Sequence, residues 1–218
     1  MQVETCHYRL SFRGKPVGTH TLSTGFKGRT AILDAKMMLQ SRGALRNTTI
    51  SQQSKAHRQQ FFSFSFQETV SVPESRTFKV HFDIEEGLVK AERGNKDKAF
   101  IPYIESYEDP LSLLYHLRHL EGEEHLRVPM LGKEVTVARL GEKTLETALG
   151  ERVAHVYELQ PGGSYVYVGV DAPKPILMMT QRFDNQLLDA HIVRIDENAR
   201  APQEPTRRRK RRRRRRRN

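Results

Sequence analysis

A chain of 218 residues with 37 Lys and Arg against 26 Asp and Glu has a formal charge of +11, and the eleven consecutive basic residues from Arg207 to Arg217 account for all of it, leaving 26 against 26 over residues 1–206. The only cysteine is Cys6, which excludes an internal disulfide and a cysteine-cluster zinc site. No apolar run approaches the ~18 residues of a helical membrane span, and the start Met1 to Tyr8 lacks the basic and apolar stretches of a secretion signal.

The length suits one sizeable β-rich domain, expected over residues 1–196, followed by a linker over 197–206 and a basic tail over 207–218. Tyr8 to Arg13 alternates apolar and polar residues, Gly14-Lys15-Pro16-Val17-Gly18 supplies a turn, and Thr19 to Phe26 alternates again, which predicts a hairpin. Strands are expected at Thr30–Leu39, Leu45–Ser51, Phe62–Val70 and Phe78–Ile84, while the polar stretch Ser51–Gln60 lacks a period and reads as a loop or an exposed strand end. Asp109 as N-cap, Pro110 at the first helical position and Leu113, Leu114, Leu117 and Leu120 at helical spacing predict one helix over Asp109–Glu121, closed by Gly122. Six further strands, Glu134–Arg139, Glu142–Ala148, Arg152–Leu159, Tyr165–Val170, Ile176–Phe183 and Gln186–Ile195, alternate with Gly and Pro turn signals. The fold class is therefore all-β and mainly antiparallel: a curled meander or partly closed barrel or sandwich with one covering helix and a disordered basic tail.

The turn residues Gly14-Lys15-Pro16-Val17-Gly18, the run Asp109-Pro110-Leu111-Ser112-Leu113-Leu114-Tyr115-His116-Leu117-Arg118 and the closing Gly-punctuated strands resemble the bacterial family called domain of unknown function 3108, over roughly residues 8–195. The resemblance implies a β-rich fold. It also implies an exported or envelope-associated setting, because that family consists largely of such proteins, and it brings no catalytic signature.

The strongest functional signal is the tail: Arg207, Arg208, Arg209, Lys210, Arg211, Arg212, Arg213, Arg214, Arg215, Arg216 and Arg217. Such a run repels itself and is expected to order only against a polyanion, where guanidinium forks onto phosphate oxygens. Extended, it spans about 36 Å, close to one turn of duplex DNA, and it carries no base-reading geometry. A solubilising tail, a nuclear address and an added tag are the other readings of the same run.

Phe62, Phe64 and Phe66 fall on one face of a strand and are read as core, with Ser63 and Ser65 outside; a stacking platform for bases is the alternative. His116 and His119 lie three apart on the helix with His125 after them, but no third ligand stands in a recognised spacing, so no metal is assigned. Cys6 has only His7 beside it, on the opposite strand face, and Glu123-Glu124 fall at a turn, so nothing demands an enzyme and no cofactor is assigned. The expected function is non-enzymatic nucleic-acid binding, DNA ahead of RNA, through phosphate contacts of the tail in the cytoplasm or at the nucleoid. The alternative is an envelope-associated or lipocalin-like barrel that holds an apolar molecule while its tail touches anionic lipid or a surface polymer, a location that needs a leader segment ahead of Met1. A protein partner on an exposed sheet edge is the third reading.

Overall fold

A computed structural model describes residues 3–40, 47–71, 75–94, 97–103, 105–121, 125–183 and 186–197. The tail, Glu123 and Glu124 lie outside the described residues. Fourteen strands and one helix follow in order: β1 (Val3–Phe12), β2 (Lys15–Lys27), β3 (Thr30–Leu39), β4 (Thr49–His57), β5 (Ser63–Ser71), β6 (Arg76–Asp83), β7 (Leu88–Arg93), β8 (Asp97–Pro102), α1 (Pro110–Leu117), β9 (His125–Met130), β10 (Lys133–Thr147), β11 (Gly150–Gln160), β12 (Ser164–Gly169), β13 (Ile176–Phe183) and β14 (Gln186–Glu197). All fourteen join one antiparallel sheet in the order β8 to β1, then β14 to β9. The first and last strands are paired at its centre, and β8 and β9 are its two edges. The sheet is an open meander, all-β as expected, and it curls around α1.

The interior rows follow from register. Along one row Tyr8, His20, Met37, Ile50 and Val70 stand opposite one another on successive strands, and the next row runs Cys6, Leu22, Ala35, Gln52 and Glu68. The helix divides the apolar interior into two clusters. Leu113, Leu117 and Leu120 pack with β1, β3 and β9–β14, including Tyr8, Leu39, Val137, Tyr157 and Leu188, whereas Leu111 and Tyr115 pack with Leu33, Phe66, Val80, Phe82 and Val89. Each of these buried leucines is worth about 1.5–3 kcal/mol, so two helical turns join two halves of a very long sheet.

Several sequence expectations need correction. The β1–β2 turn is tighter than expected: Arg13 and Gly14, both at positive φ, form it alone, and Lys15 to Gly18 already belong to β2. Of the stretch Ser51–Gln60, read as a loop or an exposed strand end, Ser51 to His57 belong to the inner strand β4 and residues 58–60 form a turn, and Leu45 and Arg46 lie outside the described residues. Gly141 does not separate two strands, because β10 runs through it with an irregular register between Arg139 and Gly141, leaving Leu140 exposed as the extra residue. Strands β7, β8 and β9 were not expected.

The helix ends at Leu117 rather than Glu121. Its C-cap, Arg118, leaves the helical path with tighter turns, Arg118 N–H reaching Tyr115 O and His119 N–H reaching His116 O. The Arg118 guanidinium explains the departure, since it is fastened to Glu4 at 2.7 Å and to the carbonyls of Lys174 and Pro173 at 2.9 and 2.8 Å.

The Phe run also departs from the expectation. The register slips between Lys55 and Ala56 opposite Ser63 and Ser65, so Ser63 and Phe66 both face inward, at 0% and 6% exposure. Phe62 and Phe64 are half-buried on the other side, packed on His57 with ring centroids 5.2 and 6.4 Å away. Only Phe66 of the three is core.

Candidate functional site

The N-terminal half of α1 stands over a polar patch that a β-interior would ordinarily exclude. Asp109 is 3% exposed, and its carboxylate accepts from Leu111 N–H (2.8 Å), Ser112 N–H (3.1 Å), Ser54 Oγ (2.5 Å) and Ser63 Oγ (2.7 Å). Its own N–H donates to Ser112 Oγ at 2.8 Å, completing a capping box. Burial pushes the carboxyl above its usual range while these four donors pull it down. The network fixes α1 to β4 and β5 and explains why β4 turns Ser54 inward.

Between that half-helix and the curled sheet lies a cavity of about 470 Å³. Its walls are Ala35, Met37, Leu111, Leu113, Leu114, Met130, Val135, Leu159, Val166 and Met179. Its polar lining is His20, Gln52, Glu68, Lys133, Ser164, Thr180 and Gln181, with Gln52 Nε2 donating to Glu68 at 2.7 Å and Lys133 exposed. His20 is 4% exposed beside Tyr8, its Nδ1 has no hydrogen-bond partner among the described residues, and burial pushes its pKa down to about 4, so it is neutral near pH 7. A void of this size with apolar walls and a few convergent polar groups fits small-molecule binding.

The sequence-predicted residues are placed as follows. His116 and His119 do not converge on a shared point: His116 Nδ1 donates to Glu108 at 2.8 Å while stacking on Phe61 at 4.1 Å, and His119 Nδ1 donates to Tyr115 O at 2.9 Å. His125 is exposed at the start of β9. Glu108, buried with Oε2 unpartnered among the described residues, has its carboxyl raised by burial against the lowering pull of His116. Among the described residues no cluster of three His, Cys, Asp or Glu could hold a metal. Cys6 is buried and its thiol is pushed up to about 12, so it stays protonated at neutral pH, and His7 on the other face pairs with Asp196 at 2.9 Å. The proposed phosphate-binding residues Arg207 to Arg217 lie outside the described residues. Sequence reasoning missed His20, Gln52, Glu68 and Glu108. Inward polar residues on a strand, as His20, Gln52 and Glu68 are, break the apolar-polar alternation, Glu108 lies in the segment before α1, and no motif marks any of them.

No helix among the described residues is long and apolar enough to cross a membrane, a statement that does not bear on strands. The architecture is β-barrel-like. It is similar to the crystal structure of a beta-barrel-like protein of domain of unknown function DUF1849 from Brucella abortus, with a TM-score of 0.58 and 8% identity over 90% of this chain and 98% of that one. The model of the family described as protein of unknown function (DUF3108) matches residues 7–183, and the chain belongs to that family. No curated protein matches the chain.

Proposed function

We propose that the protein is a non-catalytic carrier of a single-chain amphiphile, held with its apolar body in the cavity under α1 and its polar head at the rim among Gln52, Glu68, Lys133 and Gln181. The observation that carries this reading is the 470 Å³ cavity itself, whose walls come from both apolar clusters and whose lining adds a few polar groups. The test is a titration of the full chain with dodecanoate and with dodecanol, together with the variants Val70→Trp, which enlarges a lining residue, and Lys133→Glu. Val70 lines the same cavity, so added bulk there competes with a ligand; saturable binding of both ligands, lost in Val70→Trp and weakened for dodecanoate alone in Lys133→Glu, is expected. Binding that Val70→Trp leaves unchanged would place the ligand elsewhere on the protein.

A second reading rests on a different observation, the eleven basic residues of the tail. Charge at that density neutralises phosphates without a folded scaffold, so the tail is assigned to nucleic-acid backbones, DNA ahead of RNA. The two readings are compatible, because the cavity and the tail are separate parts of the chain.

A further inference from the structure

A second cleft, of about 610 Å³, opens at the other end of α1. Its walls include Phe26, Phe61, Tyr115 and His119, and Arg58 lays its guanidinium 4.3 Å from the centre of the Phe26 ring. Phe61 is held there by a tight turn: Phe61 N–H bonds to His57 O at 2.9 Å and its backbone adopts φ +62, a left-handed conformation that a bulky side chain rarely takes. The ring so presented stands 5.7 Å from Tyr115 and 5.5 Å from His119. Two arginines and two glutamates line the cleft, Arg58, Arg118, Glu4 and Glu197, and Arg118 is already bonded to Glu4 at 2.7 Å. The lining is therefore balanced in charge and suits a planar ring rather than a phosphate. It also offers edge contacts. Because His119 Nδ1 must carry the proton it gives to Tyr115 O, Nε2 is left as an acceptor, and Gln59 stands in the same wall.

Glu197 is the last residue of β14 and lines this cleft, and Arg207 follows it closely in the sequence. Nine residues, 198–206, intervene and reach at most about 30 Å. We propose that the cleft receives one unpaired base of a single-stranded nucleic acid whose phosphates are held by the tail, a proposal that rests on the tail being the phosphate-binding element. The division of labour follows the chemistry. Rings and the Arg58 plane stack on a base whatever its identity, and the tail holds the backbone.

The test measures fluorescence anisotropy of labelled oligothymidine, oligouridine and a DNA duplex of equal length with the full chain, Phe61→Leu, Arg58→Gln, and a chain whose eleven tail residues are all Gln. The expected result is that Phe61→Leu weakens both single strands by about 5- to 150-fold at matched salt and leaves the duplex unchanged. The oligouridine and oligothymidine arms separate RNA from DNA. Equal binding of single strand and duplex that is indifferent to Phe61→Leu and Arg58→Gln overturns the cleft while leaving the tail reading intact. Undiminished binding by the Gln-tailed chain overturns the tail reading and this proposal with it. Photo-crosslinking of 4-thiothymidine oligonucleotides to the unmodified protein answers independently of variant folding. Adducts on the peptides carrying Phe61 or Tyr115 support the cleft, and adducts confined to the tail sink it.

Discussion

At the scale of the residue, His20 has the clearest consequence. Its imidazole titrates near 4 in the folded protein against an ordinary 6.5, so below pH 6.5 the unfolded chain takes up a proton that the folded chain refuses. Its contribution is complete above 6.5 and is lost as the pH falls toward 4. The raised carboxyls of Glu108 and Asp109 act in the opposite sense, gaining stability as the pH falls, so the imidazole is isolated by comparing the parent with His20→Gln. Between pH 7 and pH 5 the parent is expected to lose roughly 2 kcal/mol more than the variant in urea melts. Equal losses would show that His20 is not the residue excluding the proton. The phenylalanines give a second expectation. Phe66→Ala should cost about 3–5 kcal/mol, whereas Phe62→Ala and Phe64→Ala, which remove half-buried rings packed on His57, should cost about 1 kcal/mol each. Comparable thermal shifts for all three would place the three rings in one core face after all.

At the scale of the element, α1 depends on its cap more than on its length. Asp109→Ala removes the acceptor of two backbone amides and leaves the Ser54 and Ser63 hydroxyls buried without it, at an expected cost of about 3 kcal/mol; Asp109→Asn should recover part of this. A chemical melt in which Asp109→Ala matches the parent would remove the network from the account of how the helix is held. The helix start was legible because its cap is local, the adjacent pair Asp109 and Pro110 with known preferences. Its end was not, because Arg118 is drawn off by Glu4 and by carbonyls 55 and 56 residues away in sequence. The same division runs through the strands. Those with one apolar face, such as β3, declared themselves by alternation. Strand β4 did not, since its inward residues Gln52 and Ser54 answer to Glu68 and Asp109, and the edge strand β8 did not, since Phe100 on it is 65% exposed and little of the strand is buried. What the sequence hid was the candidate cavity itself, whose polar lining comes from six strands spread from β2 to β13.

At the scale of the whole molecule, the domain and the tail are expected to behave independently. Removing Arg207–Arg217 should abolish or sharply weaken duplex binding while the thermal transition of the domain barely moves. With the tail in place, log affinity against log salt should fall with a slope of roughly −7 to −10 if most of the eleven side chains meet phosphates. A slope near −2, measured by anisotropy across a salt series, would assign the binding to the domain. A different consequence follows from β1 and β14 lying side by side at the centre of the sheet. The partner of Cys6 is Ile195, so the innermost ladder cannot form until almost the whole domain has been synthesised, roughly 10–40 s after β1 at ordinary rates of translation. During that interval β1 has β2 on one side and an open row of backbone donors and acceptors on the other, a template for pairing with the wrong chain. Every molecule passes through this state before it closes, so the yield of native protein should depend on how crowded the nascent chains are, even if the finished fold is very stable.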